Sequence, residues 1–88
     1  MKTPKTFIKD RFAAIKRDIQ NAPGTNALQK ATVAYEQLVY EQSICRGAIF
    51  YASHTNQINE IEEKLAFEVL TTETDSLTNY IDQTIQGL

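Results

Sequence analysis

A chain of 88 residues has room for a single domain spanning 1–88, and at that size folding hides only about 60–65% of the unfolded surface, so any core is thin. Three glycines and two prolines leave little punctuation for β-hairpins, and Cys45 as the sole cysteine excludes an intrachain disulfide. The net charge of −2 and a sequence pI near 5.3 argue against general DNA binding, but the sum hides a dipole: residues 1–20 carry six basic against two acidic residues, the remainder three against nine.

The first element opens at Thr3-Pro4, where threonine can cap and proline suits the first helical position. Ile8, Phe12, Ile15, Ile19 and Ala22 then recur at spacings of four and three, one apolar stripe on a helix. Pro23 and Gly24 stop it, which predicts a helix over about 4–21. Asn26 with Gln29 has the spacing of a capping box, so a second helix is expected over about 27–53. Its main stripe is Leu28, Ala31, Tyr35, Leu38, Gln42, Cys45, Ile49 and Ala52. A second, on another face, is Val33, Tyr40, Ile44 and Tyr51. A helix apolar on two faces needs cover on two sides: it is the middle layer of a three-helix monomer, or one face meets another subunit.

The polar run Ser53–Gln57 breaks the pattern, and a third helix is expected over about 57–86. Ile58, Ile61, Leu65 and Val69 read as its stripe, backed by Ala66, Phe67 and Leu70; Leu77, Tyr80, Ile81, Ile85 and Leu88 form another. Between them Thr71–Ser76 contains neither Gly nor Pro. Threonine disfavours helix by only tenths of a kcal/mol, which favours a continuous or kinked helix over a break near 71–76 that would make four. Gly87 is a suitable stop. The expected fold is all-α: a short N-terminal helix plus a long antiparallel helical hairpin, assembled into a helical-bundle oligomer.

Candidate chemistry is sparse. His54 is the only histidine and has no neighbouring ligand, so neither a metal nor a cofactor is expected. Cys45 shares the register of Leu38 and Ile49, which makes it a buried apolar residue rather than a nucleophile. Glu60 and Glu63 are one turn apart but lack the histidine of a di-iron motif, and Glu62 beside them extends a solvated acidic face. Pro23-Gly24-Thr25 is no phosphate loop.

Two groups of residues are candidates for binding. Tyrosine is frequent at interfaces, a polar Gln42 in an apolar stripe fixes register, and Gly47 permits close helix approach. Val33, Tyr40, Ile44, Gly47 and Tyr51 are therefore expected to form a subunit or partner interface. Lys5, Lys9, Arg11, Lys16 and Arg17 surround the stripe of the first helix, where cations can meet phosphates or simply lie in water.

The expectation is a cytoplasmic, non-enzymatic interaction protein, homo-oligomeric, that occupies the surface of a protein partner as an inhibitor or adaptor. No membrane association is expected: no apolar run reaches 18 residues, and the apolar stripe of the basic first helix is needed to cover the second helix. By analogy alone, small Asn/Gln/Thr-rich helical proteins of this size are common among phage and mobile-element accessory genes. The rival expectation is an oligomer that sequesters small anionic ligands such as nucleotides on its basic first helix.

Overall fold

The computed structural model describes residues 3–21 and 25–87 and contains three helices. Helix α1, Pro4–Gln20, starts as its sequence dictates: the Thr3 side chain accepts from the Thr6 amide at 3.2 Å, and Pro4 holds the first helical position. Its buried residues are Ile8, Phe12, Ile15 and Ile19, the expected stripe. Ala22, Pro23 and Gly24, the expected last stripe residue and stop signals, lie outside the described residues, as does Leu88.

Helix α2 runs Thr25–His54. It starts ahead of the expected Asn26 cap, which is therefore inside the helix. Ala31, Ala34, Leu38, Cys45 and Ile49 are buried. Leu28, expected in this stripe, is exposed instead. Ten residues at about 100° each put it some 80° round the helix from Leu38, at the flank of the buried face.

The chain leaves α2 through a Schellman turn. Asn56 takes the left-handed conformation (φ 60°), its amide donates to the Ser53 carbonyl at 3.2 Å, and the Gln57 amide donates to the Ala52 carbonyl at 2.9 Å. Helix α3, Glu60–Gln86, consequently begins three residues later than expected. Its cap is a reciprocal box: Asn59 Oδ1 accepts from the Glu62 amide at 2.8 Å and Glu62 Oε1 from the Asn59 amide at 3.0 Å. Glu60, Glu62 and Glu63 in the first turn complement the helix dipole. Helix α3 passes through Thr71–Ser76 unbroken.

The buried face of α3 corrects the expected one. It consists of Ala66, Leu70, Leu77 and Ile81, a single phase along the whole helix, whereas Ile61 (72% exposed) and Leu65 (54%) face solvent. Ile61 lies nine residues, or about 180°, from Leu70. Ile58, in the loop before the helix, packs partly buried against the core.

Each helix packs on both others, so the bundle is triangular in section and 46 Å long, the length of α2. The middle-layer arrangement therefore does not form. Both neighbours lie on one side of α2, and its opposite side is uncovered. Polar contacts fix the register between helices: Gln42 Nε2 donates to Thr74 Oγ1 at 3.3 Å, and the Tyr35 hydroxyl donates to the Asp82 carboxylate.

Candidate functional site

Val33, Tyr40, Ile44, Gly47 and Tyr51 come together within an arc of about 60° on the uncovered side of α2. Val33 is 48% exposed and Tyr40 and Tyr51 each 66%, while Ile44 is half-buried. A Cβ built on Gly47 would meet nothing within 4 Å, so no contact inside the chain requires a glycine there. Two further side chains that the periodicity did not single out, Val39 and Phe50, are exposed along one edge of this side. Phe50 meets Phe67 of α3 edge-to-face, with ring centroids 5.4 Å apart.

The rim toward α1 is ionic. Arg11 donates through Nε and Nη2 to both oxygens of Glu41, the second bond at 3.0 Å, and its guanidinium sits 5.5 Å from the centre of the Phe7 ring. Forked pairing of this kind is directional as well as attractive. It pushes the Arg11 pKa above its ordinary value, chiefly through the hydrogen bonds to Glu41, so the charge is fixed. A groove beside this pair is lined by Arg11, Asp18, Val33, Glu36, Tyr40 and Glu41.

A second apolar surface lies on the opposite flank of the bundle, between α1 and α3. There Leu65 and Val69 share a shallow groove with Lys5, Lys9, Glu68 and Glu73, and Lys9 Nζ is 4.0 Å from Glu73. Ile61, one turn before Leu65, extends the apolar patch. Sequence periodicity placed both residues in the core; their phase relative to Leu77 and Ile81 is the signal that shows them outside.

The five basic candidates do not converge. Lys5 and Lys9 flank the α1–α3 groove, Arg11 turns to Glu41 on α2, and Lys16 lies with Nζ 5.0 Å from the centre of the Tyr80 ring. Arg17 is exposed, nine residues and about 180° round α1 from buried Ile8.

Reactive residue types are placed for structure. Cys45 is fully buried, and its thiol is pushed above the usual range, first by burial and then by the nearby Glu41 carboxylate. His54 ends α2 with Nδ1 2.9 Å from the Phe50 carbonyl oxygen. No cluster of three or more His, Cys, Asp or Glu suited to a metal occurs among the described residues, and none of their helices is long and apolar enough to cross a membrane. No family model, curated protein or solved structure matches this chain.

Proposed function

We propose that the chain is a non-enzymatic interaction protein that acts by covering the surface of a protein partner with an apolar side of its helical bundle. One observation carries it: the side of α2 turned away from the core presents Val33, Tyr40 and Tyr51, half to two-thirds exposed, along a helix as long as the molecule. Contiguous apolar patches with a polar rim mark interaction sites, and aromatic residues dominate their binding energy. The Ile61/Leu65 patch, flanked by Lys5 and Lys9, adds a second such surface.

The nucleotide-sequestering alternative has less support. Phosphate sites gather donors around one point, whereas Arg11 is paired with Glu41, Lys16 lies over Tyr80, and Lys5 and Arg17 stand twelve residues, or about 18 Å, apart along α1.

Affinity capture from native lysate at roughly 0.1 M salt, where charge attraction is screened beyond about 10 Å, tests the interaction reading. Tagged wild type is compared with Tyr40→Glu and Leu65→Glu variants of equal helicity. A protein held in stoichiometric amount by wild type and lost from a variant is the expected result. Capture of nothing, or equal capture by all three, refutes it. A thermal shift that rises with nucleotide concentration as RT ln(1 + [L]/Kd) would favour the alternative instead.

A further inference from the structure

We infer that the uncovered side of α2 pairs with a second copy of the same chain, antiparallel, about a two-fold axis level with Gln42. This deepens the interaction-protein reading and rests on it for one point only, that the face is an interface.

The ground for a second copy is self-complementarity. Val33 and Tyr51 stand nine residues either side of Gln42, Gln37 and Gly47 five, and Tyr40 and Ile44 two. Gln42 itself turns inward to Thr74, directly opposite the exposed side. An antiparallel two-fold at that level sets Val33 against Tyr51 of the second copy, Tyr40 against Ile44, and Gly47 against Gln37, each pair occurring twice. Every pair matches a larger side chain with a smaller one, the condition for close packing of facing positions. Gly47 then has a neighbour: the open space around it in one chain receives Gln37 of the other. A closed two-fold of this kind is also the commonest symmetry of soluble oligomers.

The apolar area supplies more than half of what a specific interface needs. Tyr40 and Tyr51 are each 66% exposed, and at about 150–250 Å² per aromatic side chain they present roughly 250 Å² per copy. With Val33 and Ile44, pairing removes on the order of 700 Å² of apolar surface from the two copies. The polar rim brings the total toward the ~1,200 Å² at which specific interfaces begin. The Ile61/Leu65 patch, on the far flank, stays open for a different protein.

Sedimentation equilibrium of the purified chain at ~100 µM, well above the dissociation constant of a low-micromolar dimer, is the first arm. A mass of twice 10.0 kDa is expected, with association weakened at least ~100-fold in Tyr40→Glu and Tyr51→Glu. Both tyrosines are exposed, so circular dichroism should show the variants still helical. The second arm is oxidative cross-linking of variants with one added surface cysteine, with wild type, whose only thiol is buried, as control. Val33→Cys mixed with Tyr51→Cys should cross-link. Val33→Cys alone should not, because the two copies of residue 33 lie about 27 Å apart along the axis and a disulfide needs Cα atoms within about 7 Å. Monomeric wild type, a dimer indifferent to Tyr40→Glu, or efficient 33-to-33 cross-links would each overturn the inference. A monomer that still captures a partner leaves the interaction reading standing; a dimer that captures nothing removes that reading and leaves the pairing.

Discussion

Replacing Gly47 by alanine should stabilise the dilute chain, which is unusual for a substitution on a candidate interface. Glycine inside a helix is about 0.8–1.0 kcal/mol less favourable than alanine, because more backbone freedom is lost on folding. Gly47 lies deep within Thr25–His54. The added Cβ meets nothing within 4 Å, so no steric penalty offsets the gain. At about 2.1 cal/mol/K of unfolding entropy per residue, 88 residues give roughly 0.18 kcal/mol/K, and a gain of ~0.9 kcal/mol corresponds to about 5 °C in Tm. The measurement is thermal denaturation followed at 222 nm with protein near ~1 µM, where pairing contributes little. A Tm that falls in Gly47→Ala at that dilution would refute the reasoning, since it would mean that the methyl group collides with something inside a single chain. Repeating the melt at ~100 µM adds information about the second copy: if Gln37 of that copy fills the space beside Gly47, the gain shrinks as concentration rises.

Two further substitutions test the assignment of the α3 faces and the state of the thiol. Leu70→Ala should destabilise the chain by about 2–5 kcal/mol, because it empties a buried site, while Ile61→Ala should change stability by less than about 0.5 kcal/mol; urea denaturation of the two variants checks this, and the reverse ranking would restore the stripe expected from local hydrophobicity. Cys45 holds its proton to higher pH in the folded chain than in the unfolded one. Its contribution is therefore complete below the ordinary thiol range near pH 8.5 and fades as pH climbs toward the raised folded value. Wild type should lose stability relative to Cys45→Ala across that alkaline window, and a thiol reagent at pH 8 should label folded protein at least ~100-fold more slowly than a small free thiol. Fast labelling of natively folded chain would show Cys45 to be accessible.

How far the sequence revealed the fold depends on how cleanly each helix keeps one phase. In α1, Ile8, Phe12, Ile15 and Ile19 keep one phase, and Phe7 is the one other large apolar residue, packed at the edge of the same core, so the buried face is unambiguous. In α2 two apolar stripes are visible and both exist, but periodicity does not say which one is covered; that depends on how the helices pack. In α3 the strongest local cluster is misleading. Ile58, Ile61, Leu65 and Val69 outnumber Ala66 and Leu70 at regular helical spacing across the helix start, yet only the latter two share a phase with Leu77 and Ile81 beyond the Thr71–Ser76 stretch. The late start of α3 was hidden for another reason. Asn56 can enter the left-handed region that closes a Schellman turn, but nothing in its neighbours demands it, and the Asn59/Glu62 box acts only once the chain has turned there. Of the candidate site, the Val33–Tyr51 face was legible because it repeats every three to seven residues. The Leu65 groove was not, because it is shared by two helices distant in sequence.

The balance of large apolar side chains gives the strongest reason to expect association. Among the described residues, nine of Ile, Leu and Phe are buried, supported by three alanines and Cys45. Eight large hydrophobic residues are exposed: Leu28, Val33, Val39, Tyr40, Phe50, Tyr51, Ile61 and Leu65. An exposed apolar residue taken singly is ordinary. Here, however, Val33, Tyr40 and Tyr51 are ordered along one rod, and Ile61 and Leu65 along another. A chain of this size has a small stability margin from its own core, and each surface buried against a partner adds to it by mass action. Stability should therefore rise with protein concentration in wild type and cease to do so in Tyr40→Glu, because the charged carboxylate would have to leave water at the centre of the paired face. Concentration-independent melting of both proteins between ~1 and ~100 µM would mean that the thin core suffices alone and that the α2 face is not used between copies.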